Sequence, residues 1–103
     1  IEKASCSFTI NANAESFICK KGNLTELIAK SISDVTGKNS EPEYATDGGT
    51  SDARFIKDYC EVAEIGIRNN TLHQIDEFVY ISDIEELKKI YLRIIENFFE
   101  KNQ

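Results

Sequence analysis

The chain of 103 residues has no methionine, no tryptophan, one proline and one histidine. A single histidine excludes a metal centre built from several imidazoles of this chain, and a zinc site needs three or four donors. Cysteine is also scarce. Cys6, Cys19 and Cys60 are odd in number and lack Cys-x-x-Cys spacing, which argues against a zinc ribbon or a disulfide framework. Reduced thiols of a cytoplasmic protein, buried in structural roles, are the expectation. No apolar run approaches the roughly 20 residues of a membrane helix, and no signal-peptide pattern opens the chain. Basic residues are outnumbered: 12 Lys and Arg stand against 18 Asp and Glu, a net charge of −6. Such a surface repels phosphate backbones and excludes nucleic acid as the expected partner. Reading frames start with methionine, whereas this chain starts with Ile1. The expectation is therefore a processed or excised piece of a longer protein.

What remains suits a soluble globular chain, with 41% hydrophobic and 29% charged residues. Cys6, Phe8 and Ile10 alternate with polar neighbours and predict a strand with one buried face. Asn23, with Glu26 three residues on, predicts a helix start. Leu24, Leu27, Ile28, Ile32 and Val35 continue at helical spacing to Thr36, and Gly37 stands at the C-cap position. Pro42 favours an extended entry into a short strand over Glu43 to Thr46. A short helix, capped by Thr50 or Ser51, is expected to run to about Asp58. Val62 to Ile67 reads as a buried strand, with Glu64 as an oddity needing a partner. Ser82 and Glu85 predict the cap of a last helix. Ile84, Leu87, Tyr91, Ile94 and Phe98 form its apolar stripe, widened by Ile90, Ile95 and Phe99. The alternation of strands and helices predicts an α/β layer.

Two polar stretches flank the run from Val62 to Ile67. One is Gly48-Gly49-Thr50-Ser51-Asp52-Ala53-Arg54-Phe55, and the other is Asn69-Asn70-Thr71-Leu72-His73. A glycine pair before a helix start leaves backbone N–H groups ready for an anion. Open α/β sheets keep ligands at such an edge. His73 stands open between metal ligand, general base and exposed surface residue. Arg54 could hold a substrate carboxylate or pair with Asp52 or Asp58. There is no Gly-Lys-Ser phosphate loop and no Ser-His-Asp arrangement.

Asp47-Gly-Gly-Thr-Ser-Asp-Ala-Arg-Phe-Ile, then Val-Ala-Glu-Ile-Gly, then Asn69-Asn-Thr-Leu-His73 closely resembles the C-terminal part of the succinyl-diaminopimelate desuccinylases. These form a branch of the di-zinc aminoacylase and carboxypeptidase family. Gln74-Ile75-Asp76-Glu77 and the closing helix continue the likeness. It covers nearly the whole chain and is strongest from Thr46 to Glu77. Ala53, where the family often has glycine, and Arg68-Asn69-Asn70 are mild departures.

The resemblance implies hydrolysis of the amide of N-succinyl-LL-2,6-diaminopimelate to succinate and LL-diaminopimelate, in the bacterial route to lysine. It implies two zinc ions, with cobalt as a substitute. His73 would be a ligand of one zinc, and Gly49, Thr50 and Asn69 would contact substrate. The other ligands and the glutamate base would come from a part of the enzyme not in this chain. No catalytic residue is assigned here, and the chain alone is expected to be inactive. The expected architecture is a partial sheet of about three strands with a short helix and two longer helices. It would be a fragment of a larger three-layer zinc-peptidase-like catalytic domain, with residues 1–15 leaving a lid and dimerisation insert. The whole enzyme is expected to be a cytoplasmic homodimer, and the segment to self-associate through an exposed sheet edge. Two alternatives stand beside this reading: a related acetylornithine or aminoacylase-type deacylase, and a non-catalytic binding or assembly module.

Overall fold

Three helices organise the computed structural model, which describes residues 4–12, 16–39, 41–46, 51–67 and 70–101. They are α1, Asn23–Thr36; α2, Ala53–Ile56; and α3, Ile81–Lys101. The N-cap of α1 is Gly22, one residue before the expected Asn23. The Thr25 hydroxyl accepts from Gly22 N–H at 2.8 Å and donates to Gly22 O at 2.9 Å. Glu61, distant in sequence, supplies a carboxylate that accepts from Leu24 N–H at 3.1 Å. It takes the place a local capping side chain would have, and a carboxylate suits the positive end of a helix. A Cβ on Gly22 would collide with this Glu61 carboxylate. At the other end Gly37 adopts φ 71 and donates to Ser33 O at 2.8 Å, the C-cap the sequence predicts.

α1 and α3 pack on each other along one line of α3. Leu27 and Ser31 are buried on α1, Ile90 and Asn97 on α3. The apolar stripe of α3 is thus only partly used. Ile90 is buried and Leu87 and Ile94 half-buried, whereas Ile84, Tyr91, Phe98, Ile95 and Phe99 stay exposed.

Polar groups complete the seam. Asn97 Nδ2 donates to Ser31 Oγ at 3.0 Å and to Asp34 Oδ2 at 3.2 Å, and its Oδ1 accepts from Lys30 Nζ at 3.4 Å. Ser31 in turn donates to Leu27 O at 2.7 Å. Arg93 Nε donates to Asp34 Oδ2 at 3.0 Å, and Arg93 also pairs with Glu96 at 3.3 Å. A buried amide is tolerated when its donors and acceptor are all engaged. The hydrogen bond from Arg93, then that from Asn97, holds the Asp34 carboxyl below its ordinary value of 3.8. The same contact raises the pKa of the Arg93 guanidinium.

The expected partial sheet is not formed: the described residues contain three helices and no strand. Residues 6–10, 43–46 and 62–67 all lie outside regular structure. Alternation specifies which face of a strand is apolar, but a strand exists only through a ladder to a neighbour. None of these three stretches has such a neighbour among the described residues. Side chains hold residues 61–65 instead. Glu61 reaches α1, Ser51 donates to Glu64, and Tyr91 of α3 donates through its hydroxyl to Ile65 O. Residues 62–67 are therefore half-buried or exposed, not the buried strand expected. Glu64 has found its partner in Ser51 at an exposed position. Self-association through a sheet edge has no strand among the described residues to use. Cys6, Cys19 and Cys60 are unbridged, as expected, but exposed, not buried in structural roles. Among the described residues no helix is long and apolar enough to cross a membrane.

Candidate functional site

Of the four residues expected to touch substrate or metal, Gly49, Thr50 and Asn69 lie outside the described residues, and His73 lies within them. The described part of the first stretch starts α2. Ser51 Oγ accepts from Ala53 N–H at 3.1 Å and donates to Glu64. Ser51 thereby fixes the approach to α2, as the sequence suggests, although the N-cap residue itself is Asp52. The helix is one turn, Ala53–Ile56, shorter than the expected run to Asp58. Arg54 pairs with neither Asp52 nor Asp58 among the described residues. Its guanidinium lies 4.9 Å from the centroid of the Phe55 ring, and its Nε is buried without a hydrogen-bond partner. Asp58 pairs with Lys57 at 2.9 Å.

The second stretch is a run of turns over residues 70–76. Gln74 N–H donates to Thr71 O at 3.0 Å, and Gln74 Nε2 donates to Asn70 O at 3.3 Å. Thr71 closes the loop from the other side: its hydroxyl donates to Phe78 O at 2.8 Å and accepts from Phe78 N–H at 3.1 Å. His73 has φ 61 and Asp76 φ 59, both in the left-handed region, which histidine and aspartate enter more readily than most residues. His73 is exposed, and its ring makes no hydrogen bond among the described residues. Thr71 lies inside the block that drew attention in the sequence, but its contact with Phe78 spans seven residues and has no sequence signature beyond a hydroxyl in a turn.

No hydrogen bond or ion pair among the described residues joins the two stretches directly. Residues 61–67 lie between them, fastened to α1, to Ser51 ahead of α2, and to α3 as described above. A neutral imidazole suits zinc in kind, and the His73 ring has no hydrogen-bond partner among the described residues. Yet no group of three or more His, Cys, Asp or Glu is placed to hold a metal among the described residues. The described residues thus offer one candidate donor, not a complete centre. A groove of about 590 Å³ lies elsewhere, between residues 18–25 and 57–62. Lys20, Lys21 and Lys57 line it, but Glu61 already occupies its helix N-terminus.

The family model of "Peptidase family M20/M25/M40" matches residues 4–97. The chain belongs to peptidase family M20/M25/M40. Among curated relatives of this M20 chain, a succinyl-diaminopimelate desuccinylase of Rhodopseudomonas palustris (strain BisB5) is 47% identical over 89 residues. That alignment covers 86% of the chain and 22% of the relative. The enzyme of the same name from Nitrobacter hamburgensis is 47% identical over 88 residues, 85% of the chain and 22% of the relative. The one from Phenylobacterium zucineum is 42% identical over 97 residues, 94% of the chain and 25% of the relative. The M20 chain thus spans about a quarter or less of the length of these relatives. A metal cofactor and a small-molecule substrate fit this membership.

Proposed function

We propose that this M20 chain is the C-terminal part of the catalytic domain of a zinc-dependent amidohydrolase. The enzyme would convert N-succinyl-LL-2,6-diaminopimelate and water to succinate and LL-diaminopimelate. The observation that carries the reading is the 47% identity to a desuccinylase across 86% of the chain, an alignment of 89 residues. Its companion is the turn that presents His73, exposed and at φ 61.

In this reading His73 holds one of two metal ions, zinc or cobalt, whose other ligands come from outside this chain. Such metals, when bound, supply water activation and carbonyl polarisation. The chain's own contribution is to bind and orient. Gly49 and Thr50, which precede α2 in the sequence, and Asn69, which precedes the His73 turn, contact the substrate, which carries carboxylates at both ends. Backbone N–H groups beside a glycine pair suit an anion of that kind. Residues 1–15 lead out of a lid and dimerisation insert. The whole enzyme works as a homodimer in the cytoplasm, in lysine and diaminopimelate synthesis.

Substrate profiling of the whole enzyme tests the assignment. The N-succinyl amide of diaminopimelate should be hydrolysed with the higher kcat/KM, and N-acetylornithine poorly. The reverse order would assign the chain to an acetylornithine-type deacylase.

A further inference from the structure

We propose that Thr71 is a positioning residue for His73, acting by clasping the loop that carries the imidazole. The clasp is a single hydroxyl serving both backbone groups of one distant residue. Thr71 Oγ1 donates to Phe78 O at 2.8 Å and accepts from Phe78 N–H at 3.1 Å. It replaces the two-way hydrogen bonding that a paired backbone would provide, in a region with no strand. Between the two ends of the clasp lie both non-glycine residues with left-handed backbone among those described, His73 at φ 61 and Asp76 at φ 59.

A loop left open at this point would let His73 return to negative φ, where most residues are more stable. That change swings the Cα–Cβ bond and carries the ring away from its present direction. Nothing else among the described residues steadies the imidazole, which makes no hydrogen bond and is exposed. The backbone therefore sets the direction of its Cα–Cβ bond, from which the ring projects. Gln74 supports the loop from inside, at Thr71 O and Asn70 O, but does not close it.

The chemistry of the clasp singles out its own control. Valine has the shape of threonine but neither donates nor accepts. Serine keeps the hydroxyl and both roles. A purely space-filling role for Thr71 would favour valine over serine, and a clasp favours serine over valine.

The proposal rests on His73 being a metal ligand, and the test separates the two. The whole enzyme is compared with its Thr71→Val, Thr71→Ser and His73→Ala variants. Zinc affinity is measured by competition with a chromogenic chelator. Crystal structures of the wild type and Thr71→Val give the backbone at His73. Thr71→Val should weaken zinc binding about 10-fold or more, the scale seen when a group supporting a metal ligand is lost. Thr71→Ser should restore it, and His73 should leave the left-handed region in Thr71→Val. Thr71→Ala replaces Thr71→Val if the latter does not fold. Unchanged zinc affinity in Thr71→Val, or serine no better than valine, overturns the clasp. Full zinc affinity in His73→Ala overturns the ligand reading. The clasp is then decided by the crystal structures, where an unmoved φ at His73 in Thr71→Val refutes it.

Discussion

Gly37 and His73 both stand in the left-handed region, at φ 71 and φ 61, and they are there for different reasons. Gly37 ends α1, and its conformation is free of the Cβ penalty. Gly37→Ala should lower the stability of the whole enzyme by about 1 kcal/mol, read from denaturant unfolding; no loss would mean that the cap tolerates a side chain. His73 carries a Cβ and is kept in that region by the hydrogen bonds at either end of its loop. The glycine was legible because capping is local and has a residue signature. His73 was legible as a position in a block, but its backbone was not, since the closing contact to Phe78 lies seven residues away. Arg54 shows the same limit. Spacing offered it Asp52 and Asp58, and the structure instead places it over Phe55.

The elements divide in the same way. Helical periodicity predicted α1 nearly to the residue, and α3 within one residue of its start. The strands were not recoverable, because a pairing partner is a tertiary fact and period-two alternation records only a face. The seam between α1 and α3 was also hidden. Asn97 is more buried than its apolar neighbours Phe98 and Phe99, because Ser31, Asp34 and Lys30 on α1 match its amide. Asn97→Ala should cost about 1–3 kcal/mol, the scale for stranding buried polar partners, measured by denaturant unfolding; a neutral effect would deny the amide its role.

The Asp34–Arg93 contact adds a pH dependence. The folded-state carboxyl lies below its ordinary 3.8, so its stabilising contribution is present above that value. It is lost as pH falls through the lower folded-state value. Thermal stability followed from about pH 6 to about pH 2 should fall more steeply in the wild type than in Asp34→Asn. In the wild type Lys30 and Arg93 pair with Asp34, and Glu96 pairs with Arg93. Parallel curves would exclude Asp34 as a contributor.

At the scale of the molecule, Leu27 and Ile90 are the only large hydrophobic residues buried among those described. The radius of gyration is 18.9 Å, against about 13 Å for a compact domain of 100 residues. Tyr91, Leu92 and Ile95 lie open on α3. These are the properties of a chain that buries little of its own apolar surface, and they accord with an alignment to 22% of a desuccinylase. The isolated chain, supplied with zinc and N-succinyl-LL-2,6-diaminopimelate, should show no turnover, because one imidazole does not make a metal centre; measurable hydrolysis would show that the chain carries a complete site.

The most direct test is the zinc content of the purified whole enzyme carrying His73→Ala, determined beside the wild type by elemental analysis. Bound zinc should fall below the wild-type stoichiometry, with hydrolysis of N-succinyl-LL-2,6-diaminopimelate falling alongside it. Wild-type zinc content in a folded His73→Ala enzyme would contradict the account.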